Sequence, residues 1–336
     1  MNITMNKTPL KKSLSIVIPT REGFSAHWLD NLLAIKGDVE FILVHPPTMP
    51  HVLIEDNRVK QINAPFRGEI MQRMTGLLNV NSDYTLTINC DEYLTPNIVE
   101  IVEQYFAYFP NSWVLRLQRK HYAFGQKELL SQEWQFSPSL INLSYVYGSN
   151  SEPEQKQKYH ENKDIFLMEI PIAPLQNQLN LTTFWQERKD HHGRHTENFD
   201  KKVWLTKLVK PTLEKLSQNM VIWGALKFVP FWCLDRLLGL AIQANFFTKN
   251  EEVIGHLLPN PEQIRVEENP PEYRGKARYY VLAEFILLRA FPQYPYIWNL
   301  VISNVRRYTF LFIKESFINL SNWVKTLFNQ VEVSNN

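Results

Sequence analysis

The first 110 residues alternate short apolar runs, typical of buried strands, with stretches whose apolar residues recur at helical spacing. Five runs predict strands, at 14–18, 39–44, 59–62, 84–88 and 113–117. Three stretches predict helices, at 27–35, 70–78 and 95–109. Strands that alternate with helices need crossover connections, so this pattern predicts an α/β fold with a mixed, mostly parallel sheet.

The carboxyl ends of the predicted strands carry the polar residues that chemistry needs. In sheets of this kind, ligands bind beyond those ends. The ends are Thr20–Glu22, His45–Pro47 and Asn89–Glu92. We therefore expect a ligand site where these three segments meet.

Composition excludes several classes of protein. The 336 residues include 44% hydrophobic and 21% charged residues, which is typical of a folded chain. A net charge of +2 gives no argument for nucleic acid as a partner. The two cysteines, Cys90 and Cys233, form no disulfide framework and favour a reducing compartment. The N-terminus lacks the apolar stretch of a signal peptide, and a spanning helix is not expected, so we predict a cytoplasmic protein.

Three segments of the chain resemble one family in order and spacing. They are SLSIVIPTRE at 13–22, Gly68-x4-Arg73-x2-Gly76, and SDYTLTINCDEYLTPN at 82–97. They are similar to the first strand, the Gly-x4-Arg-Asn-x-Gly helix and the Asp-x-Asp segment of bacterial family 2 glycosyltransferases. The resemblance covers about residues 13–125 and implies the Rossmann-like glycosyltransferase A (GT-A) fold. It implies a nucleotide-sugar-binding catalytic domain over 12–200. After about residue 201 the pattern changes to helices, one of them from Trp204 to Leu216, with a Pro-rich linker over 258–275, so we predict a helical C-terminal region over 201–330.

The resemblance also implies roles for residues at the strand tips. Asp91 would hold a divalent cation, Mn²⁺ or Mg²⁺, on the diphosphate of the donor. The nucleotide-sugar-binding positions would be Thr20, Glu22, His45, Arg73, Asn89 and Asp91. Two departures stand out, because Asn89 replaces the first acid of Asp-x-Asp and His45 stands where the family places an acid. Each of these residues also has an interpretation without a binding role. Asp91 and Glu92 would be acids of a turn and a helix start. Glu22 and His45 would be solvated loop residues, and Arg73 a surface cation.

The later part of the chain supplies the remaining candidates. An inverting transferase needs a base for the acceptor hydroxyl, and the resemblance indicates Glu169, with Glu133 in reserve. The resemblance also implies a histidine after the base that completes the metal site or contacts the diphosphate, and by order along the chain one of His191, His192 and His195 fits, with His191 and His192 preferred. Alternatively, Glu169 has a structural role or faces solvent, and the histidines belong to a polar loop without a ligand.

These observations predict transfer of a sugar from a nucleotide diphosphate sugar to a hydroxyl of a glycan or lipid-linked acceptor. The rival hypothesis, motivated by Asn89, is a catalytically inactive binding or scaffold protein of the same fold. A nucleotidyltransferase ranks last because its Gly-rich N-terminal loop is missing. The chain also lacks the Gly-rich motifs of nucleotide hydrolases and dehydrogenases and the serine elbow of hydrolases.

The last helical stretch has an apolar stripe with spacings of three and four residues. Its members are Phe310, Ile313, Phe317, Leu320, Val324 and Leu327. One interpretation is that the stripe packs on the catalytic domain as core. The other is contact with a partner or with the inner face of a membrane, since aromatic and basic residues flank the stripe.

Overall fold

The computed structural model describes residues 13–135, 140, 145–147, 166–186, 198–222, 231–250, 252–268 and 281–334. The chain forms two compact units. The first combines Met1–Ala173 with His192–Tyr279, and the second combines Pro174–His191 with Tyr280–Asn336.

The strands of the first unit form two sheets. The strands are β1 (Leu14–Pro19), β2 (Val39–His45), β3 (Val59–Asn63), β4 (Tyr84–Thr87), β5 (Glu92–Leu94), β6 (Val114–Arg116), β7 (Arg119–Tyr122), β8 (Tyr145–Tyr147), β9 (Phe166–Pro171), β10 (Lys202–Leu205), β11 (Val253–Leu257) and β12 (Ile264–Glu267). The main sheet has the order β3-β2-β1-β4-β10-β6-β11-β9-β8, and the small sheet has the order β5-β12-β7.

The main sheet is mixed and mostly parallel. Strands β1 to β4 are parallel to one another, while β10 lies antiparallel between β4 and β6. Strand β11 is parallel to β6, and β9 is antiparallel to β11. The carboxyl ends of β1, β2, β4, β6 and β11 therefore lie at one end of the sheet, together with the start of β10.

Helices cover the sheet and bury its apolar side chains. Those of the first unit are α1 (Ala26–Leu33), α2 (Glu69–Leu78), α3 (Ile98–Tyr108), α4 (Lys127–Leu130), α5 (Thr206–Ile222) and α6 (Phe231–Asn245). Strand β1 is buried along its whole length, and so is nearly all of β2, as the continuous apolar runs of a parallel sheet predict. Removing this apolar surface from water is the main stabilising term for the unit.

The regular secondary structure described in the second unit is helical. It contains a 3-10 helix (Leu181–Phe184), α7 (Val281–Ala290) and the 40-residue α8 (Pro295–Ser334). Tyr296, Ile297 and Leu300 of α8 are buried, and Asn299 accepts from the backbone N–H of Asn180 at 2.8 Å. The described part of the chain has no helix long and apolar enough to cross a bilayer.

The predicted α/β class with a mixed, mostly parallel sheet is confirmed. The region beyond residue 201 differs from the helical expectation, since β10 and β11 are central strands of the main sheet. Strand β12 lies within 258–275, which we interpreted as a linker. The stretch from Trp204 was predicted as helix, but β10 ends at Leu205 and α5 begins at the next residue. The division into domains at residue 201 stays a prediction.

Candidate functional site

The tips of β1 and β2 are tied together by buried polar side chains. The Gln72 side chain of α2 donates to the backbone oxygens of Thr20 and Val44, at 2.7 Å each. His45 is completely buried, with Nδ1 2.7 Å from Thr20 Oγ1 and Nε2 2.9 Å from Gln61 Oε1. Burial lowers the pKa of His45 despite the Gln61 hydrogen bond, so its ring is neutral at pH 7.

Two glycines explain how α2 brings Arg73 to this end of the sheet. Gly68 precedes the helix with φ of 124°, a conformation that favours glycine. A Cβ at Gly76 would lie 2.3 Å from Cγ1 of Val17, so α2 packs closely on β1. The spacing Gly68-x4-Arg73-x2-Gly76 thus describes a helix that starts at a special backbone turn and lies flat against the sheet.

Arg73 is buried at the tip of β4, and its guanidinium has three side-chain partners. It donates to Glu69 at 3.0 Å, to Asp200 Oδ1 at 3.1 Å and to Asn89 Oδ1 at 2.5 Å. Burial alone would lower the pKa of Arg73, but the carboxylates of Asp200 and Glu69 outweigh it and raise the pKa. The side chain therefore stays charged and orients the Asn89 amide.

Glu92 is turned away from solvent. Its side chain is 1% exposed, accepts from the Asn89 backbone N–H at 3.0 Å and lies 2.9 Å from Lys201 Nζ. Burial raises the pKa of Glu92, while the Lys201 charge opposes that shift. The Glu92 carboxylate therefore stabilises the backbone of the loop that carries Asp91.

Asp91 is the carboxylate of this loop that faces solvent. Its side chain is 42% exposed and lies 3.4 Å from the Arg21 guanidinium, an exposed pair of little energetic weight. Among the described residues no group of three or more His, Cys, Asp or Glu side chains is arranged to hold a metal ion. Mg²⁺ is often held by one or two protein carboxylates plus phosphate oxygens, so Asp91 fits a cation that arrives with a diphosphate.

The two candidate bases lie in different places. Glu169 is on β9, four strands from β4, which at the usual strand spacing is roughly 19 Å. Burial and the Glu252 charge raise its pKa. Its register partner on β11 is His256, near the carboxyl end of that strand, so the separation from Asp91 runs across the strands. The structure therefore does not bring Glu169 to the β4 tip.

Glu133, the reserve candidate, is linked through Arg265 to strand β5, which follows Asp91. Its backbone oxygen accepts from the Arg265 guanidinium at 3.2 Å. Arg265 is on β12, directly opposite Tyr93 of β5, and Tyr93 is two residues from Asp91. The Glu133 side chain is exposed.

The structure brings most predicted positions to one end of the sheet. Thr20 is buried beside His45, Glu22 is exposed just after β1, and Arg73, Asn89 and Asp91 surround the β4 tip. His191 and His192 lie outside the described residues. These placements leave the binding roles as predictions.

Sequence reasoning missed three charged residues of the site. Asp200 and Lys201 precede β10, and Asp235 on α6 accepts a hydrogen bond from the Asp200 backbone N–H. Burial and the Asp200 charge raise the pKa of Asp235 to about 6. The signal was the run Phe199-Asp-Lys-Lys before Val203-Trp-Leu205, which marks a strand entering the sheet.

The parallel β3-β2-β1-β4 half and the antiparallel β10 form a mixed, mostly parallel α/β sheet with polar residues at the β4 tip. No known family profile and no curated protein matches the chain.

Similar solved structures include S. aureus TarS 1–349 with UDP-GlcNAc, at 13% identity and a TM-score of 0.42 over 82% of this chain and 66% of that one. A longer TarS structure has a TM-score of 0.41 at 13% identity over 83% of this chain and 42% of that one. CMP:2-keto-3-deoxy-manno-octonic acid synthetase with CTP has 18% identity and a TM-score of 0.24 over 32% of this chain and 53% of that one. Likenesses this distant carry no argument about function.

Proposed function

We propose that this chain transfers a sugar, with inversion, from a nucleotide diphosphate sugar to a hydroxyl group of a glycan or lipid-linked acceptor. The proposal rests on the different surroundings of the polar side chains at the β4 tip. Asn89 and Glu92 are held by Arg73 and Lys201, and Asp91 alone of this loop's carboxylates is presented to solvent. The three family-like segments converge on this arrangement.

Asp91 would hold Mn²⁺ or Mg²⁺ together with the donor phosphates. The bound cation would stabilise the charge that develops on the departing diphosphate. Arg21, exposed beside Asp91, adds a positive charge for the same phosphates. Arg73 acts through Asn89, because its guanidinium is already bonded to three protein side chains.

We assign the acceptor base to Glu133 in place of Glu169. Arg265, which donates to the Glu133 backbone oxygen, pairs with Tyr93, two residues from Asp91, whereas Glu169 lies four strands from β4. A general base contributes about 10²- to 10⁴-fold to a rate. Glu133→Gln should therefore lower turnover by at least about 100-fold, with unchanged donor binding, and Glu169→Gln should leave turnover near the wild-type value.

The test is release of nucleoside diphosphate from a panel of nucleotide sugars with Mn²⁺ and hydroxyl acceptors. We expect turnover of one donor class, and a loss on the order of 100-fold for Asp91→Asn, since metal stabilisation supplies several kcal/mol. Asp30→Asn, an exposed acid on α1, is the matched control. Release of pyrophosphate would instead show nucleotidyl transfer.

The second candidate function is binding without catalysis. Asn89 favours it, because its amide adds no charge for a metal and its oxygen is already bonded to Arg73. Donor binding without any product from the wild-type chain would establish this function and refute the transferase proposal.

A further inference from the structure

The smaller unit carries a disproportionate share of exposed apolar surface. Fifteen large apolar side chains are exposed among the described residues, and nine of them belong to Pro174–His191 and Tyr280–Asn336. The nine are Leu179, Leu181, Trp185, Phe285, Trp298, Val305, Phe310, Ile313 and Phe317. Concentrated apolar exposure of this kind marks an interaction surface.

Helix α8 is anchored at its start and exposed further along. Tyr296, Ile297 and Leu300 are at most 2% exposed. From Val305 onward, each residue with a described side chain is exposed or only half-buried. At 1.5 Å per residue, the 40-residue helix is about 60 Å long, so most of its length lies beyond the buried start.

One face of the exposed part is apolar. Phe310, Ile313 and Phe317 are 51%, 43% and 67% exposed, and their spacing places them on a single stripe. The sequence continues the stripe at 320, 324 and 327. Exposed Arg307 and Lys314 lie along one edge of it, at about 60° and 40° from Phe310 by the helical period.

We propose that this face of α8 binds an anionic lipid surface, with the helix lying in the plane of the membrane interface. Over 305–334 the basic residues are Arg306, Arg307, Lys314 and Lys325, against Glu315 and Glu332. A wide apolar face with aromatic residues and a basic edge is the pattern of an interfacial helix. Anionic headgroups complement the excess positive charge.

A second copy of the chain is the competing occupant, because spacings of three and four also suit a coiled coil. Such pairing relies on opposite charges beside the seam. The positions flanking Phe310 to Phe317 are Thr309, Ser316 and Lys314, which offer no complementary acid. The charge pattern therefore favours lipid.

Flotation of the full chain with vesicles tests the proposal without any measurement of activity. We expect binding to phosphatidylcholine containing phosphatidylglycerol, weak binding to phosphatidylcholine alone, and weaker binding as salt rises. The double variants Phe310→Ser with Phe317→Ser, and Arg307→Gln with Lys314→Gln, should each lower the bound fraction about tenfold. Asn322→Ser, which the helical period places opposite the stripe, should bind like the wild type.

Two results would overturn the proposal. One is failure to float with anionic vesicles, or equal flotation of the wild type and both double variants. The other is a lipid-free dimer, seen by light scattering, that the Phe310→Ser and Phe317→Ser pair dissociates, because it would show that a second copy covers the stripe. Neither result bears on sugar transfer at Asp91.

Discussion

At the scale of single residues, Glu92 shows how a strand tip can carry one exposed carboxylate beside a buried, structural one. Glu92 and Asp91 are neighbours in the chain, yet Glu92 is 1% exposed and paired with Lys201, while Asp91 faces solvent. The pairing matters because a buried charge without a partner is strongly destabilising. The ion pair therefore fixes which of the two acids is available to a ligand.

Replacing Lys201 tests this pairing. Lys201→Met leaves the Glu92 carboxylate buried without its cation, and we expect a loss of about 3 kcal/mol in the free energy of unfolding. Urea denaturation measures the loss. The double variant Lys201→Met with Glu92→Gln should recover most of it, because the unpaired charge is gone. Equal stability of Lys201→Met and the wild type would show that the ion pair contributes nothing.

Part of the site could be predicted from the sequence at this scale. The family resemblance pointed to Arg73, Asn89 and Asp91, and the structure brings all three to the β4 tip, while their binding roles stay predictions. The partners Asp200 and Lys201 were missed, since Arg73 and Asp200 are 127 residues apart and no local pattern links them. Glu169 was chosen from a resemblance to a later segment of the family, and its role as the base stays a prediction.

At the scale of elements, α2 illustrates a glycine retained for close packing. Gly to Ala inside a helix normally stabilises it by about 1 kcal/mol. Here a Cβ at Gly76 would lie 2.3 Å from Val17 Cγ1 and 2.9 Å from Val44 Cγ2. Close approach to β1 and β2 therefore outweighs helix propensity at this position.

Gly76→Ala should accordingly destabilise the chain, by about 1 to 3 kcal/mol as for other overpacked cores. Thermal unfolding gives the comparison with the wild type. Val17→Ala removes the nearest clashing atom, so Gly76→Ala should cost less in that background, a coupling that a double-mutant cycle measures. A stabilised Gly76→Ala variant would mean that α2 lies further from the sheet than described.

Elements differed in how well the sequence predicted them. β1 and β2 were predicted closely, because parallel strands buried on both faces have continuous apolar runs. β10 has four residues and runs directly into α5, so its apolar side chains merged with the helical pattern that follows. Strand β12 was missed because its four residues lie in a Pro-rich stretch that we interpreted as a linker.

At the scale of the whole molecule, Asp235 links stability to pH. Its pKa is raised from 3.8 to about 6 by burial and by the Asp200 charge. Between about pH 4 and 6, Asp235 therefore binds its proton more fully in the folded chain than in the unfolded chain. The contribution of Asp235 to stability falls as pH rises through that window, and its full cost, up to about 3 kcal/mol, is present above pH 6.

Asp235→Asn removes the ionisation while keeping an oxygen that can accept from the Asp200 backbone N–H. The melting temperature of this variant should exceed that of the wild type at pH 7.5, and the difference should shrink towards pH 4. The exposed-acid variant Asp30→Asn should show no such trend. A constant difference across this range would contradict a raised pKa for Asp235.

The proposed function depends on Asp91 binding a diphosphate together with its cation. Calorimetric titration with a panel of nucleoside diphosphates, with and without Mn²⁺, tests that claim most directly. We predict binding of one diphosphate that strengthens with Mn²⁺, and a Kd at least about tenfold weaker for Asp91→Asn, while Asp30→Asn binds like the wild type. Equal affinities for Asp91→Asn and the wild type in the presence of Mn²⁺, or no binding of any diphosphate, would contradict it.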